Sequence, residues 1–460
     1  MKTLQRNAGA TGVMGPLASY IAGAVDRPLP DTVAEKARHH LLDTIAAMVS
    51  GTTLTPGRLG IESARAAVGA GEAIVVGTDI VTSAETAAFA NGMTSRADET
   101  DDSHASSFTH PGCGIIAAAM AMAERERRSG AELLRAIALG YDVNARLTRA
   151  LGVEELCDRG FSTHAFGPLW GATAASAALA SLDEAQVRAA LSLTAQCTSG
   201  MVTWMGDTAE HVELSFLMGG RPAQDGLRSA ALAKIGFSAN PDVFASLPNF
   251  LTIYSRTPDP AELTRDLGGT YEILAANIKK YCVGSPIQAG IDSMLALIGD
   301  HDLTADKVRG IDVHLPAREA GIMDGRETPT ICAQHIVALV LVDRAFSFAA
   351  AHEMDRMRDP EILAARAKVR LVPDKELENL LPRRTATVRI ETADGRMLEH
   401  HTPAVLGTSD LPMTRDQVAD KARELMAPVL GAARSSALID GIWNIDGVAD
   451  VRELRPLLAG

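Results

Sequence analysis

Apolar residues recur every three or four positions along most of the first part of the chain, the spacing of one face of an α-helix. The first such face lies between residues 15 and 50. Further helical segments, rich in Ala and Leu and separated by short Gly, Asp or Ser breaks, follow at 82–91, 111–127, 131–151, 166–182, 184–200 and 221–236. The pattern therefore predicts an all-α region of roughly 260 residues, built as a multi-helix array.

The pattern changes after residue 270, where apolar and polar residues begin to alternate as they do in strands. Asp394-Gly395 is a hairpin signal between the last two strand-like segments. The predicted strands are 308–316, 368–372, 385–392 and 397–402, and the predicted helices between the first two strands are 329–346 and 348–367. Helical spacing returns from residue 414 to residue 458.

These changes predict a mainly α fold in which a large multi-helix domain is formed by both chain ends. A smaller α+β domain is inserted into it, since the C-terminal helices resemble the first region and not the second. The predicted bounds are 1–268 and 403–460 for the helical domain and 269–402 for the inserted domain. Two chain crossings between the domains predict a hinge.

Composition narrows the classes of function. Hydrophobic residues make up 47% of the chain but aromatic residues only 4%, which favours close-packed helices. The net charge of −13 argues against nucleic acid or an anionic membrane as a partner. The five cysteines form no Cys-x-x-Cys pair, the N-terminus has no secretory signal and no apolar stretch reaches the ~20 residues of a membrane span. We expect a cytoplasmic protein with reduced thiols.

The densest polar segment is 96–110, which leads into an apolar helix at Pro111. Three interpretations are open. Carboxylates and histidines delivered to a helix N-terminus could bind an anion and transfer protons. The same residues could be an acidic cap on a surface helix. Asp101, His104 and His110 could instead bind a metal ion, although their spacing fits no standard ligand motif.

Three later segments also carry candidate chemistry. His164 lies between Gly160 and Gly167 in a predicted loop, where a lone histidine is more often structural than catalytic. Arg221 follows a Gly-Gly step, and could clamp an anion or pair with Asp225. The lysine doublet at 279 and 280 could belong to a site, although a solvated basic pair is the usual case.

Taken in order, these segments resemble the MmgE/PrpD family, which includes 2-methylcitrate dehydratase, cis-aconitate decarboxylase and iminodisuccinate epimerase. The matching text is ETDDSHASSFTHPG (99–112), GFSTHAFGPLWGATAASAALASL (160–182), GGRPAQDGLRSAALAKIGFS (219–238) and KKYCVGSPIQAGID (279–292). The resemblance runs through nearly the whole chain and keeps the segment order. It implies the same architecture of a helical domain with an insertion, and commonly a homodimer.

The resemblance also implies chemistry. Family members act without metal or organic cofactor on small polycarboxylates, by moving a proton next to a carboxylate. We therefore expect a cofactor-independent lyase for a small di- or tricarboxylate, first of all a dehydratase that resembles 2-methylcitrate dehydratase. A cis-aconitate-type decarboxylase is the alternative, and an epimerase or isomerase of a small dicarboxylate follows. An inactive, carboxylate-binding relative is the non-enzymatic alternative.

Residue by residue, the resemblance implies two sets of site residues. The expected catalytic residues are Glu99, Asp101, His110, His164 and Lys279, and the expected substrate-binding residues are Arg96, Ser103, Arg221, Lys280 and Tyr281. The chain also departs from the family. Ser162 stands where a histidine is usual, and a lysine that many members carry is missing near Leu214. We also expect Lys279 to face the segment 96–110, called the acidic loop below, across a cleft between the domains.

Overall fold

The fold is described from a computed structural model, for residues 12–67, 69–206, 210–245 and 248–460. The expectation of an N-terminus without a secretory signal concerns residues that lie largely outside this part of the chain, so it stays a prediction. The α-helices of the first region are α1 (Met14–Ala22), α2 (Asp31–Gly51), α3 (Thr55–Ala66), α4 (Ala84–Ser95), α5 (Pro111–Arg125), α6 (Gly130–Leu151), α7 (Val153–Asp158), α8 (Thr163–Leu179), α9 (Glu184–Cys197), α10 (Val212–Ser215), α11 (Arg221–Lys234) and α12 (Phe250–Tyr254).

Small residues allow the central helices α5, α6 and α8 to pack closely. Gly140 of α6 and Gly171 of α8 lie against each other, and a Cβ on Gly171 would come within 2.5 Å of the Gly140 carbonyl oxygen. Every residue of α8 is buried. The low aromatic content is thus explained, because a core built at this helix separation has room for Ala and Gly rather than for large rings.

Both chain ends contribute to this helical core. The last helices are α19 (Arg415–Leu430), α20 (Ala432–Trp443) and α21 (Arg455–Leu458), and α19 packs along α2. Lys421 of α19 forms an ion pair of 2.6 Å with the buried Asp43 of α2 and also donates to the Thr100 carbonyl. The expected fold class is confirmed, since one continuous apolar core contains residues from both ends of the chain.

The inserted domain has its own core around a four-stranded sheet. Its helices are α13 (Gln288–His301), α14 (Ala317–Met323), α15 (Ala333–Asp343), α16 (Phe348–His352), α17 (Pro360–Arg366) and α18 (Lys375–Glu378), and its strands are β5 (Val308–Pro316), β6 (Val369–Asp374), β7 (Ala386–Thr392) and β8 (Met397–Thr402). The strand order is β6-β5-β7-β8, with β5 and β6 parallel and the other pairs antiparallel.

Two local expectations differ from the structure. The predicted helix over 348–367 is broken into α16 and α17 around a 3₁₀ turn, because Pro360 can open a helix but cannot continue one. Four two-residue strands, which form two antiparallel pairs, were too short to predict from a period of two. They are β1 (Ala73–Ile74), β2 (Val81–Thr82), β3 (Ser103–His104) and β4 (Ala276–Asn277), of which β1 pairs with β2 and β3 with β4.

The strand β4 shows how the chain leaves the helical domain. It pairs with β3 of the acidic loop, and Ile278 directly after it still belongs to the helical core. The second core begins at Val283. The exact bounds at 268 and 402 stay predictions. Within the described residues, no helix combines the length and the apolar character that crossing a membrane requires.

Candidate active site

A cavity of about 610 Å³ lies between the helical domain and the inserted domain. The acidic loop, the start of α8 and the 202–205 turn form one wall. Residues 284–286 before α13, helix α14 and the segment before β7 form the other wall. The polar residues that line it include Arg96, Glu99, Ser103, His110 and His164 from the helical domain and Ser285, Arg318, Glu319, Arg326 and Arg384 from the inserted domain.

The acidic loop is buried, which corrects the interpretation of a solvated cap on a surface helix. Asp102 is the reason, since its carboxylate accepts hydrogen bonds from three sides. His40 Nδ1 lies 2.8 Å from Oδ2, the Tyr141 hydroxyl donates to the same oxygen, and the Gly112 amide donates to Oδ1 at 2.9 Å. This last bond caps the N-terminal turn of α5. The loop between α4 and α5 is therefore held from the core outward.

Four charged side chains next to Asp102 neutralise one another. Arg96 lies 2.6 Å from Glu99 Oε1 and 3.2 Å from Asp101 Oδ1, and Lys279 lies 2.9 Å from Glu99 Oε2 and 3.4 Å from Asp101 Oδ1. Their side chains are at most 6% exposed. Burial alone would raise the pKa of both carboxyls, but the two cations hold the pKa of each below its ordinary value. Both are carboxylates at neutral pH.

Lys279 contacts the acidic loop, as predicted, but not across the cavity between the domains. Its ammonium also donates to the Glu99 carbonyl oxygen at 3.0 Å. It lies behind Glu99, however, and is not among the residues that line the cavity. Lys279 therefore holds the loop and sets its charge, and the cavity surface is formed by Glu99 and Arg96.

His110 and His164 stack at the cavity wall, with ring centroids 5.1 Å apart and planes inclined by 30°. His110 precedes Pro111 at the start of α5. His164 is the second residue of α8, so the expectation of a loop histidine is corrected: the helix begins three residues earlier than its Ala-rich pattern suggested. Burial and the neighbouring His110 lower the pKa of His164 well below its ordinary value.

The hydrogen bond of His110 fixes its tautomer. Nδ1 lies 2.7 Å from the Asp102 carbonyl oxygen, which can only accept, so Nδ1 carries the hydrogen. Nε2 of the neutral ring then keeps its lone pair. Asp101 Oδ1 lies 3.3 Å from the same Nδ1 and would stabilise the ring if Nε2 took up a proton. His164 Nδ1 is buried and has no hydrogen-bond partner among the described residues.

His104 has a different environment although it lies in the same loop. Its Nδ1 is 2.7 Å from the Ser107 hydroxyl and its Nε2 is 3.6 Å from Glu272 Oε2. Burial lowers the pKa of His104 to about 4. Asp101, His104 and His110 thus do not converge on one point, and no group of three or more metal-ligand side chains occurs in the part of the chain that the structure describes. The absence of a metal cofactor stays a prediction.

Three expected substrate-binding residues lie away from the cavity, and their expected position is corrected. Arg221 binds the Ser199 hydroxyl at 3.1 Å and lies 3.7 Å from Asp225, as the alternative interpretation proposed. Lys280 and the Tyr281 hydroxyl both lie 2.7 Å from Asp292 Oδ1. Adjacent residues of an extended chain point to opposite sides, so only one member of the lysine doublet reaches the acidic loop.

The structure adds three arginines of the inserted domain that the sequence analysis missed. Arg384 has a side chain that is 13% exposed, pairs with Glu319, and has an Nε without a hydrogen-bond partner among the described residues. Arg318 lies over the Phe108 ring at 5.9 Å, and Arg326 donates to the Met205 carbonyl at 2.9 Å. No short motif marks them, because Arg318 lies in α14, Arg326 in the turn after α14 and Arg384 in the segment between α18 and β7. Only the expectation of an interdomain cleft could have drawn attention to them.

Fold and site together define a two-domain protein with a histidine pair in an interdomain cavity. The chain belongs to the MmgE/PrpD family: the MmgE/PrpD N-terminal domain matches residues 15–263 and the MmgE/PrpD C-terminal domain matches residues 281–445.

The chain is also similar over nearly its full length to curated proteins of that family. It is 24% identical to cis-aconitate decarboxylase-like protein oryM of Aspergillus oryzae, over 97% of both chains. It is 23% identical to cis-aconitate decarboxylase of Aspergillus terreus, over 97% of this chain and 96% of that one, and 23% identical to cis-aconitate decarboxylase of Homo sapiens, over 96% and 94%.

Proposed function

We propose that the protein is a cofactor-independent lyase for a small di- or tricarboxylate, in which His110 and His164 exchange protons next to a substrate carboxylate. The observation that carries this proposal is the stacked histidine pair at the wall of the interdomain cavity. One ring has a fixed tautomer with a lone pair on Nε2. The other is held neutral by burial.

His110 has the properties of a general base. Removal of a proton next to a carboxylate needs an acceptor whose own charge change is stabilised. When Nε2 takes the proton, the ring becomes an imidazolium whose Nδ1 still donates to the Asp102 carbonyl and lies 3.3 Å from the Asp101 carboxylate. The acidic loop thus stabilises the product of the proton transfer rather than the neutral ring alone.

His164 has the properties of the second proton-transfer group. It lies against His110 on one side and the edge of Trp204 on another, with ring centroids 5.9 Å apart. These neighbours fix the orientation of the ring. A fixed ring can deliver a proton to the substrate carbon, or to a leaving hydroxyl, from one face of the substrate only. Ser103, whose hydroxyl lies 3.4 Å from that of Ser285, and Arg384 are the proposed carboxylate-binding groups.

Decarboxylation is the first candidate within this class. The support is the full-length similarity to three proteins named as cis-aconitate decarboxylases or as similar to one. In this reaction the bond to one carboxylate breaks, CO₂ leaves, and the electron pair remaining on carbon takes a proton from His110, whose Nε2 has first taken that proton from solvent. Dehydration, expected first from the sequence, is the second candidate. It needs a base and an acid together, and the two neighbouring imidazoles could supply both.

The test is a substrate panel read out by product. Purified protein is incubated with cis-aconitate, citrate, 2-methylcitrate and their analogues, with and without EDTA. We expect CO₂ release from an unsaturated tricarboxylate, or alkene absorbance from a hydroxylated one, and no effect of the chelator. A folded protein that turns over no polycarboxylate would contradict the proposal. Thermal stabilisation by carboxylates without any product would favour the inactive, carboxylate-binding alternative.

Assembly and location remain part of the proposal. A homodimer is expected from the family, and light scattering during size-exclusion chromatography measures the mass directly. A mass equal to one chain at all concentrations would contradict it. The cytoplasmic location rests on the acidic composition and the unpaired cysteines, of which Cys113, Cys282 and Cys332 are buried and Cys157 and Cys197 are not.

A further inference from the structure

The cavity is larger than a compact polycarboxylate requires. Such a molecule has about a dozen non-hydrogen atoms, and at roughly 30 Å³ for each, the share of one water in the liquid, it fills roughly 360 Å³. The cavity has about 610 Å³. Space for on the order of eight further non-hydrogen atoms is therefore left beside the substrate that the proposed function calls for.

The remaining space is apolar on both walls. Leu214, Met218 and Val202 line it from the helical domain, and Ile322, Met323 and Ile331 from the inserted domain. Leu214 is 2% exposed. Water in such a space would find few hydrogen-bond partners. Its replacement by an apolar group of a ligand therefore makes the free energy of binding more favourable.

The charges of the lining also argue against a compact, highly charged ligand. Among the described lining residues, four arginines face four carboxylates. They are Arg96, Arg318, Arg326 and Arg384, against Glu99, Glu154, Asp158 and Glu319. Arg96 already pairs with Glu99, Arg384 with Glu319 and Arg318 with Glu154. Few cations are free for a third carboxylate, whereas an uncharged substituent needs none.

We infer that the apolar part of the cavity is a subsite for an alkyl substituent of about four to eight carbons on the substrate polycarboxylate. The carboxylates then lie toward His110, His164 and Ser103, and the alkyl group lies between Leu214 and Ile322. This inference rests on the proposed function for its carboxylate end. The substrate class is an alkyl-substituted di- or tricarboxylate. Its charged end matches the polar part of the cavity lining and its alkyl group matches the apolar part.

Calorimetric titration with succinate, butylsuccinate, hexylsuccinate and octylsuccinate tests the subsite without requiring turnover. Each buried methylene is expected to raise affinity roughly three- to fourfold until the space is filled at about eight carbons. Equal or falling affinity along the series would overturn the inference. A compact dicarboxylate that binds without this gain would leave the proposed function intact, whereas no binding of any carboxylate would contradict the proposed function itself.

Two variants block the subsite from opposite walls, Val202→Arg and Ile322→Arg. Neither residue is fully buried, so both variants are expected to fold, as circular dichroism would show. We expect them to lose the gain in affinity with chain length, measured for each variant relative to its own affinity for succinate. The matched controls are Val81→Arg and Ile253→Arg, at exposed positions away from the cavity, which should keep the gain. A gain that survives in both blocked variants would overturn the inference.

Discussion

The two walls of the central cavity are built in different ways. On the helical domain, Arg96, Glu99 and Asp101 are almost fully buried and paired. On the inserted domain, Arg384 pairs with Glu319, but Arg318 has a side chain that is 54% exposed, and its partner Glu154, from α7 of the helical domain, is 82% exposed. The charges around His110 are fixed before any ligand arrives, whereas Arg318 on the facing wall is a charge that a ligand can still reorganise.

This difference separates two tasks. Proton transfer needs groups whose position and charge are set in advance, and the buried wall supplies them around His110. Recognition of one substrate among many needs groups that contact the variable part of the ligand, and the wall formed by the inserted domain supplies arginines and apolar side chains. The following predictions test this division, from the largest expected effect to the smallest.

Replacing the proposed base should have the largest effect on activity. His110→Gln removes the proton acceptor and is expected to lower kcat by ~10²–10⁴. His301→Gln, at an exposed position at the end of α13, is the control and should keep full activity. Steady-state kinetics measures both. If His104→Gln abolished turnover while His110→Gln retained it, the roles of the two loop histidines would have to be exchanged.

Replacing Lys279 should lower the free energy of unfolding more than replacing an exposed charged residue does. Lys279→Met leaves Glu99 and Asp101 with only Arg96 to neutralise them, which costs roughly 3–5 kcal/mol when a buried pair is broken. Urea denaturation measures the free energy of unfolding. Lys307→Met is the control, since that lysine is 49% exposed and its ion pair should contribute less than about 1 kcal/mol. Equal losses in the two variants would contradict a buried, paired wall.

Tyr141 should act on His110 through Asp102. Its hydroxyl donates to the Asp102 carboxylate. The backbone carbonyl of the same residue accepts the hydrogen bond from His110 Nδ1. Tyr141→Phe is expected to lower kcat about tenfold, roughly 1.4 kcal/mol in barrier, and to leave KM unchanged. Tyr254→Phe, which loses a hydroxyl bond of 2.9 Å to the Thr198 carbonyl, should lose stability but keep kcat. A rise in KM with constant kcat in Tyr141→Phe would rule out the positioning role.

The contact between His352 of α16 and Asp98 of the acidic loop joins the inserted domain to the helical domain and should respond to pH. His352 Nε2 lies 2.8 Å from Asp98 Oδ2. Burial alone would lower the pKa of His352, but Asp98 and the Cys282 thiol raise it well above its ordinary value of 6.5. Burial alone would raise the pKa of Asp98, but His352 lowers it below 3.8.

The stability that His352 contributes is therefore complete below about pH 6.5 and is lost as the pH rises through its raised pKa. The part from Asp98 is present above its ordinary pKa and is lost in acid. His352→Gln should cost about 1–2 kcal/mol at slightly acidic pH and progressively less in alkali. Urea denaturation across the pH range measures this, with His401→Gln as the exposed control. A constant difference at every pH would contradict the ion pair.

Most of the fold could be predicted from the sequence because periodicity is a local property. The apolar spacing of 111–127 and 131–151 gave α5 and α6 within two residues, and the alternation of 308–316 gave β5. The inserted arrangement could be predicted because the helical pattern returns after residue 414. The break of the 348–367 helix could not, since Phe348, Ala351 and Ile362 keep a helical spacing across it.

The buried wall of the site could also be predicted, whereas the facing wall could not. His110, Glu99 and Asp101 lie in one continuous segment with an unusual density of charge. Arg318 and Arg384 are 66 positions apart and meet only through the fold of the inserted domain. The error at Lys280 has the same origin, because nothing in a doublet shows which of its two side chains points inward.

Proton exchange with solvent tests the central claim most directly, because it is common to decarboxylation, dehydration and epimerisation. Substrate, or the product formed from it, is incubated with the protein in D₂O and followed by proton NMR. The wild type is expected to place deuterium on a carbon next to a carboxylate, either by exchange of a hydrogen or in place of the CO₂ that leaves, while His110→Gln does so at least about 100-fold more slowly. Equal incorporation of deuterium by the two proteins would contradict the assignment of His110 as the base.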